Sequence, residues 1–373
     1  MNAGPRHLVM VSDAGAACGV EAFARLTAKR LGARSTTHVL GLHHTGLKRA
    51  LRENDSVLFN FPIVAWKKKL IEPCLAALRA RMLGRSVVVV LHEWADLDWK
   101  RRLALSPVCL LATAILFSAP EVAAQFAASP LSTFATKRHG LIPIPPNLVP
   151  SGTVTETTLS ELLRAQRRAG RLILGQFGSI YPKKQSTRLL DVARALVGTG
   201  RDVGVVFVGS FIAGRDSVEA DFYRYAEALG LRDRVLVTGY VEGAERLAGI
   251  FGQIDAFCYA FPEGLTARRA SVLAAALSGK PVVVNAPRHR DGLRHHPLFA
   301  ALIANRSIRI ATCDADAETL AQAVMESLSG TRDSRMSLDA EIAGLWASIV
   351  AEIDKAVGDG ELGKQRLSAT AAR

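Results

Sequence analysis

The chain has 373 residues, 49% of them hydrophobic and 22% charged, which suits a folded protein of two ordinary domains and excludes a disordered or collagen-like chain. Its formal charge of +13 calls for an anionic partner, whether nucleic acid, an anionic membrane surface or a phosphorylated ligand. With no RNP-type aromatic strand, zinc-finger spacing or basic tail, nucleic acid is set aside. The longest apolar stretches, such as Ser86 to Leu91 and Val272 to Leu277, fall far short of the roughly 20 residues that span a bilayer, so no transmembrane helix is expected.

Short β-branched runs alternate with helical patterns from the start. The opening MNAGPRHLVMVSDAGA lacks the apolar core and cleavage site of a secretory signal and reads as the first strand, which predicts a cytoplasmic protein. HLVMVSD at 7–13, a helix from Val20 to Leu31, THVLGLH at 37–43 and SVLFNFP at 56–62 give the rhythm of a parallel βαβ sheet. A basic helix from Val64 to Leu83 follows, then SVVVVLHE at 86–93, ATAILFSA at 112–119 and GLIPIPPN at 140–147. Several of these strands are apolar throughout, as befits a sheet covered on both faces. The polar stretch from Ser151 to Arg171 reads as a linker. A second series, RLILGQF at 171–177, VGVVFVG at 203–209, RVLVTGY at 234–240, IDAFCYA at 254–260 and KPVVVNA at 280–286, reads as a second doubly wound sheet.

These patterns predict an N-terminal Rossmann-like domain over 1–165 and a second over 166–337. A helix over 338–358, with a stripe at Ile342, Leu345, Trp346, Ile349, Val350 and Ile353, is expected to pack across the domains. The remaining 359–373 is expected to be a disordered tail. Five widely spaced cysteines, without a C-x-x-C pair or a histidine at metal spacing, predict reduced, mostly buried thiols.

Chemistry in open α/β sheets sits in the loops beyond the carboxyl ends of the strands. Gly15 and Gly19 precede a helix that opens with Val20 and Glu21, a small turn that can approach a phosphate or sugar, although a plain tight turn has the same composition. The spacing is not G-x-G-x-x-G, so a dinucleotide fingerprint is excluded. His92 and Glu93 close an apolar strand. Between Trp66 and Leu83, lysines and arginines mix with an aromatic and leucines around Pro73, a composition suited to an anionic bilayer surface. His289, Arg290, Arg294, His295 and His296 make a second basic cluster on a loop.

The ordered strings GQFGSIYPKKQSTRLLDVARAL, VGVVFVG and AEALGLRDRVLVTGYVEGAERLAGIFGQIDAFCYAFPEGLTARRASVLAAALSGKPVVV resemble the donor-binding half of GT-B glycosyltransferases, in particular the family 4-like retaining enzymes. The similarity covers about Arg171 to Ala286; over the first half it rests on CGVEAF, LHEW and IPPN. It implies an α/β fold of GT-B type, two Rossmann-like doubly wound parallel-sheet domains facing a cleft, the first on the acceptor side and the second binding a nucleotide-sugar donor.

In such enzymes a glycine, an arginine and a lysine hold the donor diphosphate. Gly178 and Lys184 match, whereas Ser179 replaces the arginine and Gln185 the second glycine. Lys184 is then the diphosphate ligand, or else a loop lysine beside Lys183. The family also carries paired glutamates. Glu263 opens EGLTARR, but eight residues on stands Ser271, and counting back from Gly279 to Pro281 places the pair on Thr266 and Ala274, so at least one carboxylate is missing. Gly264, Leu265 and Thr266 at a helix N-terminus, with Arg268 and Arg269 beside them, could instead cradle an anion, unless the arginines are solvated or paired.

The resemblance thus assigns His92 and Glu263 to catalysis and Gly19, Gly178, Ser179, Lys184, Gly264, Leu265, Thr266, Arg268 and Arg269 to the donor. It implies transfer, with retention, from a UDP- or GDP-linked sugar to a saccharide that can be lipid-linked, in bacterial surface polysaccharide assembly. The retaining reaction it implies needs no metal, so neither a metal site nor a cofactor beyond the nucleotide-sugar co-substrate is expected, and the basic segment would rest on the inner face of the cytoplasmic membrane. The alternative is a GT-B-like protein that binds a nucleotide-sugar, or scaffolds a complex, without catalysis.

Overall fold

A computed structural model describes residues 4–13, 18–40, 46–69, 71–146, 148–149, 153–181, 184–212, 217–330 and 338–371, with side chains at 67, 68, 338 and 359–371 left out. The chain divides into two compact units, 1–145 with 342–373, and 146–341.

In the first unit the elements run β1 His7–Val11, α1 Gly19–Leu31, β2 Ser35–Val39, α2 Leu47–Glu53, β3 Ser56–Phe61, α3 Glu72–Met82, β4 Ser86–Leu91, α4 Trp99–Leu111, β5 Ala114–Phe117, α5 Pro120–Ala127 and β6 His139–Leu141. The strands pair in parallel in the order β2-β1-β3-β4-β5-β6. The inner strands β1, β3 and β5 are buried at every position, while edge strand β2, STTHV, is not. Central parallel strands have no solvent face, which is why they read as unbroken apolar runs.

The second unit runs α6 Thr158–Arg168, β7 Leu172–Phe177, α7 Arg188–Gly198, β8 Val203–Val208, α8 Ser217–Ala228, β9 Val235–Val237, α9 Ala244–Gly252, β10 Ala256–Tyr259, α10 Ala270–Leu277, β11 Val282–Asn285, α11 Pro297–Ala304, β12 Ile308–Ala311 and α12 Ala317–Ser329. Its parallel sheet has the order β12-β11-β10-β7-β8-β9. Leu189, Phe207, Phe222 and Leu320 pack in the core beside it. Strand order reverses between β1 and β3 in the first sheet and between β7 and β10 in the second.

Several expectations shift. The supposed linker holds helix α6, started by a capping box between Thr157 and Ser160 and anchored by buried Leu163; the division falls at Pro145/Pro146 rather than at 165. The basic stretch is two elements, a 3-10 turn over Val64–Lys68 and α3. Pro73 sits in the first turn of α3, where its missing N–H costs nothing, and could not lie in the middle of one longer helix. Trp66 packs edge-on against Phe61 with ring centres 5.6 Å apart and is buried, so its ring does not face solvent.

The last helix, α13 Leu338–Ala371, joins the first unit from Ile342 onward. Ile342, Leu345, Trp346, Ile349 and Ile353 are buried, as their spacing predicts. Trp346 stacks on Phe23 at 6.4 Å, and Asp354 accepts from His7 Nε2 at 2.9 Å and from Arg34 at 2.9 Å. The backbone continues helical to Ala371, past the end expected at 358; no proline interrupts it. Among the described residues no helix is long and apolar enough to cross a membrane.

Candidate functional site

At a strand-order reversal the loops on either side diverge and leave a crevice at the carboxyl ends of the strands. In the second unit β7 runs there into Gly178 and β10 into the loop 260–269. Gly178 adopts φ 111°, and a Cβ on it would lie 2.8 Å from Lys184 Nζ and 3.6 Å from Ser271 Cβ. The glycine thus lets Lys184 and Ser271 close on the strand end.

Lys184 is 4% exposed, and its Nζ donates only long bonds, 3.3 Å to the Phe177 carbonyl and 3.4 Å to that of Ser179. Burial, reinforced by the neighbouring Arg269 guanidinium, pulls its pKa down to about 7. An amine held by neutral carbonyls beside a second cation gains most from an anion. Ser179 itself is exposed, and Lys183 lies outside the described residues.

Arg269 forms an ion pair with Glu263 and lies over the Phe261 ring at 4.2 Å, so the carboxylate expected in catalysis is the one that orients this guanidinium. Arg268 is half-buried alongside. The expected helix N-terminus at Gly264 is instead a loop, because α10 begins at Ala270 with Arg269 as its cap. Gly264 turns at φ 74°, with a Cβ position only 2.0 Å from the Ala286 carbonyl. Two of the amides expected to face a ligand are already used: Gly264 N donates to Phe261 O (3.0 Å) and Leu265 N to Asn285 O (3.1 Å), while the Leu265 side chain is buried. The Thr266 hydroxyl, by contrast, is buried without a partner among the described residues.

Two supporting residues escaped the sequence reading. Tyr259 Oη accepts from Phe177 N at 3.1 Å and donates to Ser271 O at 3.3 Å, tying the end of β7 to α10. Asn285 accepts from Phe261 N at 2.9 Å and donates to the carbonyls of Phe261 and Cys313, each at 2.8 Å. A lone asparagine closing the run VVVN was the available signal for the second; a tyrosine within an apolar strand gave none.

In the first unit His92 follows β4, with its amide on Phe61 O at 2.8 Å. Its Nε2 lies 3.3 Å from Asn60 Oδ1, and its ring meets Phe23 edge-on at 5.0 Å. Asn60 is fully buried and its Nδ2 has no partner among the described residues. Glu93 is half-buried beside His92. Gly19 opens α1 and is exposed; Gly15 falls outside the described residues. Buried Glu21 fastens that helix to the end of β1 by accepting from Ser12 N at 3.1 Å, and is itself paired within the helix with Arg25 at 2.8 Å. In the basic cluster of the second unit His296 turns inward and accepts from Phe299 N at 3.4 Å, capping α11. Among the described residues no three histidine, cysteine or acidic side chains gather as a metal site.

Residues 171–329, from the start of β7 to the end of α12, match the family described as Glycosyl transferases group 1. The match takes in most of the second unit, including both sides of the strand-order reversal. The β7–β10 site lies within this glycosyltransferase match, and the two parallel six-stranded sheets are those of the GT-B architecture. Among solved structures, HepE from Anabaena in complex with UDP and glucose is similar at 17% identity, a TM-score of 0.61, and coverage of 98% of this chain and 99% of that one. A glycosyltransferase from Rickettsia africae follows at 14% identity and a TM-score of 0.55, covering 95% and 94%. The lipopolysaccharide outer core galactosyltransferase WaaB, in apo form, has 13% identity and a TM-score of 0.52, covering 96% and 99%. At such identities the likeness is one of fold. No curated protein matches the chain in sequence.

Proposed function

We propose that the protein transfers a glycosyl group from a UDP- or GDP-linked sugar to a saccharide acceptor, with the donor diphosphate held at the β7–β10 end of the second unit. The observation that carries this reading is Lys184, a buried amine beside Arg269 at a strand-order reversal, within the residues that match the glycosyltransferase family. HepE, bound to UDP-glucose in one structure, shares the fold and supports a nucleotide-sugar as ligand. Lys184, Arg268 and Arg269 would neutralise the diphosphate as it leaves, stabilising charge where it develops. His92, braced by Asn60, is assigned to positioning the reacting sugar.

The reading extends to retention, to a lipid-linked acceptor in surface polysaccharide assembly, and to no cofactor besides the co-substrate. A cytoplasmic protein resting on an anionic membrane is supported by α3, where Ile71 (64% exposed), Leu78 and Met82 (78% exposed) lie among exposed Arg79 and Arg81. One feature favours a non-catalytic nucleotide-sugar-binding protein instead: Ser271 has no carboxylate, and Glu263 is committed to Arg269.

Thermal shift with UDP, GDP, ADP and their sugar conjugates, repeated on Lys184→Ala and Arg268→Ala and paired with an assay of nucleotide release on acceptor addition, separates these readings. Stabilisation by one nucleotide that both variants lose, with transfer that His92→Ala reduces by about a hundredfold while keeping the shift, supports the enzyme. A shift without transfer selects the binding protein. No shift with any nucleotide defeats both.

A further inference from the structure

At the amino ends of the second sheet, away from the site above, the α6–β7 and α7–β8 turns line a hollow of about 580 Å³. Its wall carries Arg164, Arg167 and Arg168 from the end of α6, Arg171 just before β7 and Arg201 just before β8, against one acid, Asp255. Three of these arginines serve the fold. Arg164 pairs with Glu156, Arg167 with Asp255 at 2.8 Å and Arg171 with Asp202 at 3.0 Å. The acids have little left to give: Asp255 also accepts from Ile173 N at 2.8 Å, and Asp202 also holds Arg234. The side chains of Arg168 and Arg201 are exposed and enter no ion pair or hydrogen bond among the described residues, although the Arg168 charge is felt by Glu156.

The dipoles of α6 and α7 draw cations to their carboxyl ends, but that attraction is weak and screened in water. It does not call for five guanidinium groups around one hollow, two of them unspent. A guanidinium presents a planar fork of donors that matches phosphate oxygens, and two forks beside three neutralised neighbours leave a surplus of two positive charges for a dianion.

We propose that this hollow is a second anion site, separate from the nucleotide-sugar site, and that Arg168 and Arg201 there grip a phosphomonoester or diphosphate group carried by a small solute or by a lipid headgroup.

Pyrophosphate is titrated calorimetrically into the full chain carrying Lys184→Ala, which weakens the carboxyl-end site so that its binding separates from that of the hollow, and into the same chain with Arg168→Ala and Arg201→Ala added. The double change should weaken binding by about tenfold or more, as loss of two charge-assisted contacts requires, and Arg168→Lys with Arg201→Lys should recover part of it. Both side chains are exposed and unengaged, so the melting temperature without ligand should not move. Co-sedimentation with phosphatidylcholine vesicles, with and without phosphatidate, identifies the carrier: phosphatidate-dependent sedimentation lost in the double variant assigns a lipid headgroup, and weakened pyrophosphate binding with unaltered sedimentation assigns a solute. No pyrophosphate binding to the Lys184→Ala chain, or an affinity within about twofold of it in the double variant, overturns the proposal.

Discussion

Lys184 ties the candidate site to a pH dependence of known sign. Its amine titrates at about 7 in the folded chain because it is buried and faces Arg269, whereas an unfolded lysine titrates near 10.4. Between those values the unfolded chain holds a proton that the folded chain has released, so stability rises with pH across the window and falls again on acidification toward 7. The gap corresponds to a penalty on the buried ammonium on the order of 5 kcal/mol. A bound diphosphate works the other way, favouring the ammonium, so binding at pH 8.5 should take up close to one proton. Affinity for UDP should then fall roughly tenfold per pH unit between about pH 8 and pH 10. Lys184→Met should bind UDP more weakly at pH 7 by about 2 kcal/mol, roughly thirtyfold, show no such slope, and unfold in urea at least about 1 kcal/mol later than the parent at pH 7.5. Calorimetry in two buffers of different ionisation heat counts the proton. An affinity independent of pH, or a slope that survives in Lys184→Met, would refute the assignment of Lys184 to the diphosphate.

Gly264→Ala places a Cβ 2.0 Å from the Ala286 carbonyl at φ 74°; it should cost about 2 kcal/mol or more in urea denaturation, and parental stability would show that the loop does not approach so closely. Tyr259→Phe leaves the Phe177 amide without its acceptor and should cost about 1 to 2 kcal/mol, with UDP binding weakened as Ser271 loses its tie to β7. Asp354→Asn weakens the hold on His7 and Arg34 and should lower stability by about 1 to 2 kcal/mol. Burial depresses the pKa of His7 although Asp354 opposes it, so the unfolded chain takes up a proton first as the pH drops below about 6.5 and stability declines. Without the Asp354 charge His7 should titrate lower still, and the fall in melting temperature from pH 7 to pH 5 should be larger in the variant than in the parent.

The centres of both sheets were legible because parallel strands covered on both faces must be apolar, as VVVV at 87–90 and VGVVFV at 203–208 are. The edge strand β12, short and interrupted by Arg309, was not. Helix α6 was hidden by its own charge, since one buried leucine and a Thr–Ser cap among arginines look like a linker until α9 supplies the surface it packs on. At the site, the motif named Gly178 and Lys184 as neighbours in sequence, and the turn at Gly178 brings them together, its Cβ position lying 2.8 Å from Lys184 Nζ. The fate of the Gly264 and Leu265 amides depends on where their carbonyl partners lie, and for Leu265 that partner is Asn285, twenty residues along the chain. No local pattern reports a partner at that distance. The stripe on α13 declared a buried face but not what it would bury against.

The pairing of His7 with Asp354, 347 positions apart, also sets an order of events during synthesis. Residues 146–341 interrupt the first unit, which is finished only by the chain from 342 onward. As the polypeptide leaves the ribosome, the second unit can complete itself while β1 and Phe23 still wait for the helix that covers them. A stop codon shortly after 341 would therefore release a finished second half joined to a first half that remains open, and quality-control proteases would meet that half first.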